Sequence, residues 1–94
     1  MITRIVRLTI TESKAESFYD FVKPRIKEIR KFPGCIKVDL YEDNSDTRVY
    51  YTISQWESEK DLNEYRKSKL FGTIWPIVKP WFSEKPITYS LNEI

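Results

Sequence analysis

The hydrophobic pattern of the chain predicts an α+β domain: a four-stranded antiparallel sheet with its helices packed on one face. Three observations lead there. Apolar and polar residues alternate in four stretches, the period of a half-buried strand. Two other stretches repeat at helical spacing. Their order is strand, helix, strand, strand, helix, strand, which brings the four strands into one sheet and both helices to the same side.

Ile2 to Thr11 is the first strand. Ile2, Val6, Leu8 and Ile10 share one face, with Arg4 the exception near the frayed end, and Thr3, Ile5, Arg7 and Thr9 share the other. Ser13 and Glu16 have the spacing of a capping box. Phe18, Phe21, Val22, Ile26 and Ile29 then recur as the buried stripe of an amphipathic helix ending near Lys31, with basic residues in its last turn as the dipole prefers. Pro24 lies inside this pattern and predicts a kink or a later start. Phe32-Pro33-Gly34 stops the helix. From Cys35 to Glu42, Ile36, Val38 and Leu40 alternate with Lys37, Asp39 and Tyr41. Asp43-Asn44-Ser45-Asp46 turns the chain into a third strand, Arg48 to Trp56, completing a hairpin. Ser58, with Glu59 and Asp61 behind it, caps a second helix that carries Leu62, Tyr65 and Leu70, and Gly72 is expected to break it. Trp75, Val78 and Phe82 mark a further helical piece punctuated by Pro76 and Pro80. Pro86 opens the last strand, with Ile87, Tyr89 and Leu91 in alternation. No repeat, linker or low-complexity tract interrupts residues 1–94, which read as a single ferredoxin-like domain.

Composition narrows the function. The 94 residues are 40% apolar and 32% charged, ordinary for a globular domain and too apolar for disorder. With 16 Lys and Arg against 14 Asp and Glu, the net charge of +2 gives no electrostatic case for nucleic acid or an anionic membrane. The longest apolar run, Val49-Tyr50-Tyr51, is too short to span a bilayer or to form a signal-peptide core, so the cytoplasm is the default expectation. One cysteine, Cys35, cannot form an internal disulfide or a multi-thiolate zinc site, and without an activating neighbour it reads as a small buried hydrophobe. There is no histidine, so catalysis would rest on carboxylates, Lys, Tyr, Arg or the substrate's own chemistry. The 14 aromatic residues are more than so small a core needs, which points to a ligand or a partner chain. Both faces of the third strand are uncharged after Arg48, so its outer side (Val49, Tyr51, Ile53) is expected to meet a second copy of the chain.

These residues carry a likeness. The opening strand, Phe32-Pro33-Gly34-Cys35, Ser54-Gln55-Trp56-Glu57-Ser58 and the tract from Leu62 through Tyr65, Arg66, Ser68 and Phe71 to Trp75 together resemble the antibiotic biosynthesis monooxygenase family. The resemblance implies a dimeric α+β barrel, two protomers sheet to sheet, each with a pocket between its helices and its sheet. It also implies oxygenation of a phenol or hydroquinone-type aromatic with no metal or flavin, the protein holding the substrate, stabilising its anion and relaying a proton. Haem-degrading members use an Asn, a Trp and a His where this chain has Val6, Tyr65 and Trp75, so haem degradation is not expected. The oxygenases keep the third-strand Trp, here Trp56, but carry Asn and Tyr where this chain has Thr52 and Leu62.

Trp56 is therefore the candidate catalytic residue, its indole N–H offered to a substrate oxygen; a core tryptophan locking strand to helix is the plainer alternative. Tyr50 and Thr52 share its face by parity and are candidate substrate contacts. So are Tyr65, Arg66 and Trp75, with Arg66 suited to a phenolate or carboxylate unless it is a solvated surface charge. Phe71, Trp81 and Phe82 belong to the pocket mouth or to helix packing. The basic residues from Lys23 to Lys31 read as a solvated helix face. An RNA-recognition motif shares the element order, but Arg48-Val49-Tyr50-Tyr51-Thr52 lacks the glycine of its third-strand signature. The remaining alternative is a non-catalytic dimeric module that binds a small molecule. An empty slot of ~300 Å³ or more would favour ligand chemistry, and one filled by Trp75 and Tyr65 would not.

Overall fold

A computed structural model describes all 94 residues. The elements are β1 (Ile2–Thr9), α1 (Ala15–Arg30), β2 (Cys35–Glu42), β3 (Val49–Trp56), α2 (Glu59–Arg66), α3 (Lys69–Val78) and β4 (Ile87–Asn92). The strands make one sheet in the order β2-β3-β1-β4 with every neighbouring pair antiparallel, so the expected ferredoxin-like topology is the observed one. Register places Leu8 opposite Tyr50, Val6 opposite Thr52 and Arg4 opposite Ser54, and alternation sends these six to the same side. That side carries the core: Leu8, Val38, Tyr50 and Trp56 cluster with Phe18, Val22, Ile26 and Ile29 of α1, Leu62 of α2, and Ile74 and Val78 of α3. No helix is long and apolar enough to cross a membrane.

Several local details depart from the sequence pattern. Glu12–Lys14 forms a 3-10 turn and α1 starts at Ala15 with no side chain capping it, so Ser13 and Glu16 do not make the expected box. Pro24 neither delays nor ends α1; the buried stripe from Phe18 to Ile29 holds the helix against one missing hydrogen bond. The next helix breaks at Ser68 and not at Gly72. Ser68 Oγ accepts from the Phe71 N–H (3.1 Å) and donates to the Tyr65 carbonyl (2.6 Å), closing α2 and capping α3 with one hydroxyl. The hairpin register slips between Cys35 and Lys37, which sets Cys35 opposite Trp56 and leaves Ile36 exposed. On the outer sheet face, Ile5, Tyr51 and Ile53 are half-buried and Tyr41, Ile87, Tyr89 and Leu91 are exposed. Val49, expected on that free face, is instead buried by its own chain.

Candidate functional site

Between sheet and helices lies a cavity of about 710 Å³, inside the ~300–1,000 Å³ range of small-molecule sites. Thr52, Trp56, Tyr65, Arg66 and Trp75 line it, so five of the six residues singled out from the sequence meet there. Tyr50 does not. It faces the same way, but it sits six residues before Trp56, ~20 Å along an extended strand. Its ring packs on Phe18 at 4.8 Å and its hydroxyl donates to the Ala15 carbonyl at 3.4 Å, so it belongs to the core beside α1.

One wall is a run of aromatic rings. Trp56 stacks on Tyr65 (5.1 Å between centroids), Tyr65 meets Phe71 edge to face (5.4 Å), and Phe71 stacks on Trp75 (5.6 Å). Phe71 thus lines the cavity, whereas Trp81 and Phe82 lie outside its lining: Trp81 packs on Phe21 and Phe82 on Trp75. Trp75 and Tyr65 wall the cavity without filling it.

Hydroxyl donors stand on the sheet side. Trp56 is 1% exposed, and its indole N–H donates to Ser54 Oγ at 3.1 Å. The N–H expected to reach a substrate oxygen is therefore already engaged. Ser54 Oγ, having accepted that bond, keeps its own proton to donate, and it lines the cavity beside Thr52. Spacing alone could have found it: residues 54 and 56 share a face of one strand. Tyr65 makes no hydrogen bond through its hydroxyl, and burial pushes its phenol well above the usual tyrosine range. It is a donor at neutral pH and not a base. Cys35 is half-buried, and desolvation pushes its thiol up, away from the reactive thiolate.

Arg4 is the residue the sequence pattern undervalued. Far from fraying, it lies between Ser54 of β3 and Ser90 of β4, and its Nη1 donates to Ser90 Oγ at 3.2 Å. Burial, and then the charge of Arg66, lower its pKa from the ordinary arginine value. Arg4, Arg66 and Lys67 all line the cavity, none is in an ion pair, and the lining holds no Asp, Glu, Cys or His. Nowhere in the fold do three His, Cys, Asp or Glu side chains gather as a metal site would need. Val6, Tyr65 and Trp75, at the positions where the haem-degrading proteins carry Asn, Trp and His, all face this cavity.

Comparison with known proteins agrees with this architecture. A protein of Nitrosomonas europaea assigned as an antibiotic biosynthesis monooxygenase superposes with a TM-score of 0.94 at 17% identity, covering 100% of this chain and 99% of its own. A conserved protein of Methanosarcina mazei Go1 gives 0.92 at 20% identity over 100% and 94% of the two chains. Rv0793 of Mycobacterium tuberculosis gives 0.91 at 19% over 99% and 94%. At such identities these show the shared fold. No curated protein matches the sequence significantly. The sequence model of one family, described as antibiotic biosynthesis monooxygenase, matches residues 1–74, from β1 into α3, and the chain belongs to that family.

Proposed function

We propose that this chain is a monooxygenase that oxidises a phenol or hydroquinone-type aromatic in the helix–sheet cavity and works as a homodimer. The observation that carries the reading is the cavity's composition: aromatic walls, four hydroxyl groups (Thr52, Ser54, Tyr65 and Thr88) and unpaired arginines, with no carboxylate or imidazole to act as a base. Such a site suits a substrate that ionises easily and reacts with dioxygen itself. The phenol releases its proton to water, and Arg4 and Arg66 favour the phenolate as neighbouring cations favour any ionised acid. The anion passes an electron to dioxygen, the two radicals join at a ring carbon as a peroxide anion, and that anion takes a proton back from water to become a hydroperoxide. Loss of water leaves a carbonyl. At an anthrone-type methylene the balance is CH2 + O2 → C=O + H2O, with the substrate supplying all the electrons. Ser54, oriented by the Trp56 N–H, donates with Thr52 and Tyr65 to the oxygen atoms on which charge develops. The rings give a flat aromatic substrate an apolar surface to lie against.

The exposed apolar side chains of the outer sheet face support the dimer, because a second copy laid sheet to sheet would cover them. A monomeric mass by light scattering at micromolar concentration would count against it. The test of the activity is oxygen uptake by purified protein with a panel of naphthohydroquinones and anthrones, beside Ser54→Ala and Trp56→Phe checked for folding by circular dichroism. Saturable uptake, insensitive to chelator and lowered in the folded variants, is the expected result. Uptake no faster than autoxidation across the panel would overturn the oxygenase and leave a binding module.

A further inference from the structure

The charge pattern of the cavity is unbalanced in a way that oxidation of a simple hydroquinone does not require. The chain has 14 acidic residues, yet none lines the cavity, while three cations do. The protein's ion pairs join Arg30 and Lys37 to Asp39 and Arg48 to Asp46, all elsewhere. Arg4 is the most constrained of the three. It rises from a central strand, half-buried, tethered by one serine hydroxyl and facing a predominantly apolar lining. Arg66 stands on α2 at the rim, near enough for its charge to act on Arg4. Arg4 thus faces a largely apolar lining with cations and no acid around it, an environment that a bound anion would relieve.

We propose that the cavity selects an aromatic acid: its flat body lies along the Trp56–Tyr65 and Phe71–Trp75 pairs, and its fixed carboxylate is held between Arg4 and Arg66. This rests on the cavity being a ligand site and adds a permanent charge that a phenolate formed during turnover does not supply. A guanidinium presents parallel N–H donors to a carboxylate, so Arg4 and Arg66 can grip it from floor and rim. Lys67, on the same rim, adds attraction without fixed geometry. The specificity residue is Arg4, because a ligand must enter the cavity to reach it.

The test uses ligands that are not oxidisable hydroquinones, so binding is read apart from turnover. Isothermal titration calorimetry would compare 2-naphthoate with its neutral counterpart 2-naphthamide. We expect naphthoate to bind at least about tenfold more tightly, with added salt weakening naphthoate alone. Arg4→Met removes the charge at similar volume, and Arg66→Met does so on the exposed rim where folding is not at stake. Each should lower naphthoate affinity about tenfold and leave naphthamide within about twofold. Equal affinities, a preference that survives in both variants, or no saturable binding of naphthoate at millimolar concentration would overturn the proposal. The two readings fail separately. A carboxylate preference without oxygen uptake removes the oxygenase and keeps the clamp; oxygen uptake indifferent to a carboxylate does the reverse.

Discussion

Gly34→Ala should weaken the fold by roughly 3 kcal/mol, and the structure says where the loss arises. Gly34 has φ +86°, in the left-handed region, where a side chain costs ~1–2 kcal/mol. A Cβ there would also overlap Cβ and Cγ of Asp61, in the first turn of α2. Because the overlap includes Cβ, no rotation of Asp61 relieves it and α2 must move. That movement breaks a cap in which Ser58 Oγ donates to Asp61 Oδ2 (2.9 Å) and accepts from the Asp61 N–H (3.2 Å), worth ~1 kcal/mol. For a domain of this size the combined loss lowers the Tm by roughly 12–24 °C. Urea unfolding of Gly34→Ala, Asp61→Gly and the double variant separates the parts. With Asp61→Gly present the overlap is gone, and Gly34→Ala should cost only the backbone part, ~1–2 kcal/mol. A single variant within about 0.5 kcal/mol of wild type, or an equal cost in both backgrounds, would refute the reasoning. Since α2 also carries Tyr65 and Arg66, the same substitution should loosen ligand binding before the fold fails.

Ser68→Ala should cost ~1 kcal/mol in urea unfolding, because α3 loses its cap, while the Tyr65 carbonyl keeps the Ser68 backbone N–H (2.9 Å) as a donor; an unchanged midpoint would show that water replaces the hydroxyl. Trp56→Ala should cost ~3–5 kcal/mol by thermal melting, since a side chain 1% exposed leaves a large void and Ser54 loses its partner. Tyr65 gives an alkaline pH dependence. Its folded pKa is raised, so the neutral form is favoured and stability is flat below the unfolded value near pH 10. Above that pH the unfolded chain loses this proton first and stability falls. Urea midpoints across the alkaline range should fall less steeply for Tyr65→Phe, and parallel curves would remove Tyr65 as the cause.

The strands were legible because alternation is local: Cys35–Glu42 is bounded in the structure where the residues place it. What escaped were features decided by competition between neighbours. Ser13 and Glu16 have the spacing of a box, but the chain tightens into a 3-10 turn before α1, and the box does not form. Gly72 looked like a breaker, yet the hydroxyl of Ser68, four residues earlier, could satisfy two backbone groups at once. Parity told which way Tyr50 faces and not how far along the strand it stands, so it was joined to a cavity it does not line. Arg4 is the most instructive miss. A charge on an apolar strand face near a chain end invites the explanation of fraying, and in an edge strand that explanation would serve. The βαββαβ order, however, places β1 in the middle of the sheet, with β3 on one side and β4 on the other. Residue 4 of that strand is tied on both flanks, at Ser54 and Ser90, so it cannot leave the helix-facing side. A cation held there has a serine on each flank and no acid around the cavity, and on that observation the aromatic-acid proposal rests.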